Sequence, residues 1–348
     1  MFLSKLMLRV GLLLTLFGVF AVRQMLLMGE GVPQGDEIVY LSSVDGVWDL
    51  YILDIERALS YNLTRGLIPG STRNRSPVWS PDGRYLVFGS AFNQQHGLLI
   101  YDTRMDYLRI LDDVGLQGRP AWSPDGKWIA YAVYNGNDWD IKVQRVSDPN
   151  IHLVSATIDG ESNDRKPLWS PDGETLVYVS GRQSNNDLYL IHRLGYDKRR
   201  LTNGMHINDN YVAWSPSGTH IAFTTERDGN SEIYTVNVET GALTNLTRYF
   251  AQDYNPVWSP DGTKIAFVSN RDGDDEIYLM DHFGGDVIQL TDNTVYDYDP
   301  VWSADGRYLL YVSVPDLTGE IHMIDIETGR IRHLTRNDFD DWSPVWKP

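Results

Sequence analysis

Apolar residues follow two patterns along the chain. Near the N-terminus, Lys5 and Arg9 precede an uncharged apolar run from Val10 to Val22, with Arg23 and Met25–Met28 after it. Beyond residue 30, helix-type periodicity is almost absent. Apolar residues come instead in short runs rich in β-branched and aromatic side chains, separated by Gly- and Asp-rich turns, as strands require. The stretch 256–291 shows the unit best. Pro256–Ser259 predicts a strand A, and Pro260-Asp261-Gly262 a tight turn. Lys264–Ser269 (KIAFVS) predicts strand B, and Arg271–Asp274 the turn after it. Glu276–Asp281 (EIYLMD) predicts strand C; Gly284-Gly285 then turns into Val287–Thr291 (VIQLT), strand D. Gly accepts a positive φ and Asp bonds its own backbone, which suits both to tight hairpins.

The unit repeats. WSPDG or a close variant places Trp at 79, 122, 169, 214, 258 and 302, a spacing of 43 to 47 residues, and Trp346 follows 44 residues later. A fixed period of this size, with four strands in each, predicts a β-propeller. Strand B occurs at Ile38–Ser43, Tyr85–Ser90, Trp128–Val133, Thr175–Ser180, His220–Thr225, Lys264–Ser269 and Tyr308–Ser313, which is seven times. The first repeat begins at strand B, and the last strand A, around Trp346, has no strands B to D after it. The two fragments complete one blade. The predicted fold is all-β, a seven-bladed propeller over 38–348 whose C-terminal strand closes blade 1 and removes an open sheet edge. Burying a Trp removes ~150–250 Å² from water. That is roughly 4–6 kcal/mol as an upper bound, so the repeated Trp predicts packing between blades.

The N-terminal run reads as a basic n-region followed by an apolar h-region. The 13 residues of Val10–Val22 fall short of the ~20 that span a bilayer. Leu6–Met28 is long enough if Arg9 and Arg23 reach opposite interfaces. Two readings stay open for 1–28: an uncleaved signal anchor forming a transmembrane helix, and a signal peptide cleaved near Val19-Phe20-Ala21. Either keeps Lys5 and Arg9 inside and exports the propeller to the periplasm or cell surface. Residues 29–37 read as a linker.

Charge and composition narrow the partners. The net charge is -17, and beyond residue 28 there are 27 basic against 47 acidic residues. Such a body repels phosphate backbones, which argues against nucleic acid. The chain has no cysteine, which excludes disulfides, Cys nucleophiles, thiolate metal sites and a lipidated cysteine anchor. No G-x-S-x-G elbow, H-E-x-x-H or P-loop is present. The eight His residues do not recur at one blade position, and none pairs with another at ligand spacing. Asp272-Gly273-Asp274-Asp275-Glu276 suggests calcium by composition but lacks the alternating spacing of an EF-hand loop. No other cofactor is suggested.

One pattern concerns the channel. Five residues before each repeat Trp stand Asn74, Gln117, Asp164, Asp209, Asp253, Asp297 and Asp341. These fall in predicted D-to-A loops, which end at the innermost strands and so ring one mouth of the channel. They read either as shared turn caps accepting backbone N–H bonds or as part of a binding ring. Their neighbours do not repeat. Blades 2 to 4 supply Arg73, Arg75, Arg119, Arg165 and Lys166; blades 6, 7 and 1 supply Tyr254, Tyr298, Asp299, Asp340 and Trp342. The mouth is predicted to be basic on one side and acidic and aromatic on the other. What varies between repeats is where function is usually written, because the fold does not require it.

The repeats resemble the WD40-like beta-propeller (PD40) family, typified by the TolB propeller, over roughly 38–348. The resemblance is carried by Pro77-Val78-Trp79-Ser80-Pro81-Asp82-Gly83 and its equivalents through Trp302, and by Asn270-Arg271-Asp272-Gly273 before Glu276-Ile277-Tyr278. TolB propellers have six blades, where seven are counted here. Related blades occur in peptidases of the prolyl oligopeptidase type. The resemblance implies a propeller and leaves function open. The leading expectation is a non-enzymatic, membrane-anchored, exported scaffold that binds a peptide, protein or envelope polymer at the mouth. The alternative is a hydrolase or lyase using carboxylates there.

Overall fold

The computed structural model describes residues 37–65, 71–92, 95–112, 116–147, 152–153, 162–182, 185–203 and 209–348. The N-terminal segment and its reading as an anchor or signal lie outside them. Among the described residues no helix is long and apolar enough to cross a membrane.

The chain forms seven four-stranded antiparallel sheets. Six follow chain order. The seventh, blade 1, joins both ends of the described chain: Asp341–Trp346 is its strand A, and Glu37–Ser42, Asp49–Asp54 and Leu59–Asn62 are strands B to D. Ile38 lies opposite Trp346, and Leu41 opposite Trp342. Each strand A touches the A strands of both neighbouring blades, so the seven close in a ring around the axis. Blade count and closure are those expected.

The core is divided into seven clusters, one per interface between blades. Alternation explains the division. In strand B of blade 1, Ile38 and Tyr40 face Leu310, Ile321 and Met323 of blade 7. Val39 and Leu41 face Trp79, Leu86 and Phe88 of blade 2. Both faces of a middle strand are covered, so strand B reads as an unbroken apolar run.

The repeat motif serves the same interfaces. Trp122, Trp169, Trp214, Trp302 and Trp346 each donate Nε1–H to a backbone carbonyl of the preceding blade, at 3.1–3.3 Å. In the turn that follows, Ser259 Oγ donates to Asp261 and accepts from the Lys264 N–H. The Ser259 hydroxyl and the Thr263 N–H hold the Asp261 carboxyl below its usual range. Gly262 has φ +72°, and a Cβ there would sit 3.5 Å from Pro216 of the preceding blade. Pro and Gly of WSPDG thus meet across the interface.

The two faces of the ring differ in chain direction. C-to-D turns bond back to A-to-B turns, as in His282 N–H to the Thr263 carbonyl. On the opposite face, the first residues of strand A bond to B-to-C loops: Asp253 N–H to Ser231 O, Asp297 N–H to Asp275 O and Asp341 N–H to Gly319 O, at 2.7–2.8 Å. D-to-A and B-to-C loops therefore share the mouth face.

Candidate functional site at the channel mouth

Six of the residues five before the repeat Trp, Asn74, Asp164, Asp209, Asp253, Asp297 and Asp341, are buried, not presented to the mouth. Asp209, Asp253, Asp297 and Asp341 are each 0% exposed. Asp253 and Asp341 open strand A itself, earlier than the predicted start at Pro256. The proline hid this start. It lies in a bulge, where its missing N–H leaves no ladder bond unmade.

The turn-cap expectation is corrected too. The bonds found at these carboxylates come from side chains rather than backbone N–H groups, and those at Asp209, Asp297 and Asp341 include links between blades. Asn293, in the loop leaving blade 6, donates to Asp297 at 2.8 Å and to Glu276 at 3.4 Å. Thr291 donates to Glu276 and accepts from the Ile277 N–H. Asn337 ties Asp341 to blade 7 in the same way, beside Glu320 and Thr335. Thr202 of blade 4 donates to Asp209 at 2.5 Å. Within blades 5 and 6, Arg227 and Arg271 pair with Asp209 and Asp253. Burial pushes the Glu276 carboxyl up to about 7 and raises Asp297, the two acids sharing one site.

The channel is lined by the residues three before each Trp. Every strand A has a bulge at this level: in blade 6, Asn255 and Pro256 stand opposite the single residue Phe267. Ser76, Lys166, Tyr211, Asn255, Asp299 and Ser343 all have φ between 45° and 54° there. The left-handed conformation, unfavourable for a side chain with Cβ, turns these residues out of the pleat. Blade 3 differs: Gly118, Arg119 and Pro120 bulge together, and Gly118 takes the positive φ.

These residues form two unlike walls. On one, Arg119 is exposed within the lumen, its guanidinium donating to the Pro77 carbonyl at 3.3 Å. Lys166 donates to Asn210 at 2.6 Å and lies 4.9 Å from the Tyr211 ring. Arg165 bonds Asn186 at 2.8 Å, and Arg75, next to Ser76 in the chain, is exposed. On the other wall, Asp299 accepts from Asn255 at 3.2 Å. Burial raises its carboxyl, while the charge of Arg119 pulls it back down. Asp275 of the blade 6 loop is also raised by burial, an effect that Tyr254 and Tyr298 beside it partly offset. Burial and that carboxylate push Tyr298 up to about 12. Tyr254 lies 6.0 Å from Tyr211.

Asp340 and Trp342 belong to the same sector but serve closure. Asp340 accepts from Gly319 N–H at 3.2 Å, and its own N–H donates to Ser43. The Trp342 ring lies where a Cβ on Gly319 would approach within 2.6 Å. Tyr211, Asn255, Ser76 and Ser343 were missed as lining residues. Counting three, rather than five, back from the Trp finds all four.

Two further clusters were read from sequence. Asp272, Asp274 and Glu276 bring carboxylate oxygens within 4.8 Å of one another. Gln289 donates to Asp272, however, and Glu276 is engaged by Thr291 and Asn293. The expectation that no His pairs with another is corrected: His322 and His333 lie opposite each other on neighbouring strands, Nε2 to Nδ1 at 2.9 Å. Burial and then the His333 charge push the His322 imidazole down to about 4.

Comparison with known proteins fits this architecture. The family described as TolB beta propeller domain (PD40) matches residues 110–229 and 210–348. An uncharacterized protein of Agrobacterium fabrum is 29% identical over 121 residues, which are 32% of this chain and 39% of that relative. The chain thus matches well under half the length of this curated relative. A TolB-assigned structure from Agrobacterium tumefaciens is 25% identical with a TM-score of 0.54, covering 68% of this chain and 87% of that one. A puromycin hydrolase reaches a TM-score of 0.71 over 88% of this chain and 53% of its own, and at 19% identity the likeness is one of fold alone. With its family match extending over more than half the chain, this seven-bladed ring belongs to the TolB beta propeller (PD40) family.

Proposed function

We propose that the chain is an exported binding scaffold that holds a peptide or protein segment at the channel mouth. The observation behind this reading is the division of the lumen: Arg119 and Lys166 on one wall, Asp299 and the Tyr254–Asp275–Tyr298 group on the other. A segment with separated charges fits one way round, and like charges reject the reverse. The tyrosines add contact area with few rotatable bonds. The test is capture from native membrane extracts by the full chain and by the triple variant Arg119→Ser, Lys166→Ser, Asp299→Asn. The expected result is a bound segment lost in the variant at an unchanged melting temperature. Equal capture by both chains removes the mouth as the site.

The raised carboxyls of Asp275 and Asp299 support a second reading, a hydrolase or lyase working at the same mouth. Turnover of a peptide or an acidic polysaccharide by the parent, abolished by Asp299→Asn with binding retained, would establish it over the scaffold.

A further inference from the structure

We propose that the face opposite the mouth lies against a lipid bilayer, with an anionic headgroup in the groove between blades 2 and 3. The proposal rests on the exported, anchored reading given above, and three observations lead to it. First, Glu37 begins strand B at the A-to-B turn face: it lies opposite Asp54, and its carbonyl accepts the Lys347 N–H. The 28-residue apolar segment is joined to this point by residues 29–36. Eight extended residues reach at most about 28 Å. Turning the mouth to the bilayer would consume roughly 20 Å of that on blade depth alone.

Second, the C-to-D hairpins on this face carry exposed apolar tips. Met105 is 70% exposed, Tyr107 60%, Tyr196 51% and Phe283 77%. Arg104 and Arg193 flank them in sequence, as do Asp106 and Asp197. Apolar and aromatic tips beside cations suit the interfacial layer of a bilayer. The apolar residues of the mouth face have a mixed setting: Leu317 and Phe339 stand beside Asp316 and Asp338, which an anionic surface repels, while Tyr249 and Phe250 follow Arg248.

Third, the groove is positive in a strongly acidic protein. A cavity of about 700 Å³ is lined by Arg109, Lys127 and Arg145, with Tyr85 and Tyr107. Its carboxylate, Asp102, is already paired with Arg84 at 2.6 Å. Lys127 meets Asp125 at 3.3 Å with both side chains largely exposed, a pairing that leaves the lysine available. Three cations beside two tyrosine rings form a receptor for a lipid phosphate, and Met105 lies at the adjoining tip.

The absence of cysteine makes the test direct. Single variants Met105→Cys, Phe283→Cys, Leu317→Cys and Phe339→Cys, in the full chain, take an environment-sensitive fluorophore at known exposed positions. Each is reconstituted into vesicles containing phosphatidylglycerol and a lipid-borne quencher. The expected result is loss of fluorescence at 105 and 283 and none at 317 and 339. Quenching at 317 and 339, or equal quenching on both faces, overturns the proposed orientation. Loss of the chain to an alkaline wash, without quenching anywhere, overturns the anchor as well. The variant Arg109→Gln, Lys127→Gln, Arg145→Gln is compared in vesicles with and without phosphatidylglycerol. The parent is expected to gain quenching at 105 with the anionic lipid and the variant to gain none; an equal gain removes the headgroup site. Capture of a segment at the mouth is measured separately, so either assignment can fail alone.

Discussion

Two concentric sets of residues, two positions apart in every strand A, behave in opposite ways. The residues five before the repeat Trp are mostly Asp; those described are buried, and Asp209, Asp297 and Asp341 are committed to bonds that tie neighbouring blades together. The residues three before it differ in every blade except for the paired serines Ser76 and Ser343, and they face the lumen. The bulge between them separates the roles. It lets one strand hold a structural carboxylate at its start and a variable side chain one step further in. Repetition marks the position the fold needs; variation marks the position it leaves free.

The largest expected effect comes from removing most of a strand A, from its lumen residue Ser343 onward. Deleting Ser343–Pro348 removes the Trp346 bond to Val301 and the Lys347–Glu37 ion pair. It also leaves strand edges open on both sides of blade 1. The truncated chain should lose cooperative thermal unfolding; a transition like the parent's would refute closure as the organising feature.

Asp253→Ala tests the buried set. It strands Arg271, whose side chain is 17% exposed and lies over the rings of Phe267 and Tyr278. Leaving a buried charge without its partner costs about 3 kcal/mol, which denaturant unfolding would register. A stable variant that loses partner binding would instead move Asp253 into the functional set.

The acid pair Glu276–Asp297 gives a smaller, pH-dependent effect. The folded-state value of Glu276 is raised from 4.5 to about 7. Its contribution is therefore fully present below 4.5 and is lost as pH rises through about 7. Melting temperature should fall over that window, and Glu276→Gln should flatten the fall. An unchanged slope in the variant would assign the effect to other groups.

The smallest effect is expected in the lumen. Asp299→Asn keeps the shape and the bond from Asn255. It should shift stability by no more than about 0.5 kcal/mol, by the same denaturant measurement, while weakening the captured segment. A large loss of stability would show that Asp299 belongs with the buried set.

Much of this was legible along the chain. The repeat Trp recurs seven times and an Asp-Gly turn follows it in five of them, so each repeat corroborates the others, and the one incomplete repeat at each end reveals the split blade. Arg119, Lys166, Asp299, Tyr254 and Tyr298, on which the proposed mouth site is built, are all singled out along the chain. What misled was Pro256. It suggested that strand A starts late, and it placed the Asp ring in loops when a bulge had absorbed the proline. The pairing of His322 with His333 was invisible for a related reason, since a cross-strand register decides it and spacing in the chain does not.

The sequence by itself determined the number of blades, the way the ring closes and the chemistry of its turns, because the strand and turn signals that reveal them are local and recur at a fixed period. Only the tertiary structure decided what each polar ring does. Whether a carboxylate at the start of strand A meets water or the Thr, Asn and Arg of an adjoining hairpin depends on how blades pack. Whether Arg119 of blade 3 feels Asp299 of blade 7 depends on the diameter of the closed ring. Both are set by contacts between distant residues, and no periodicity along the chain encodes them.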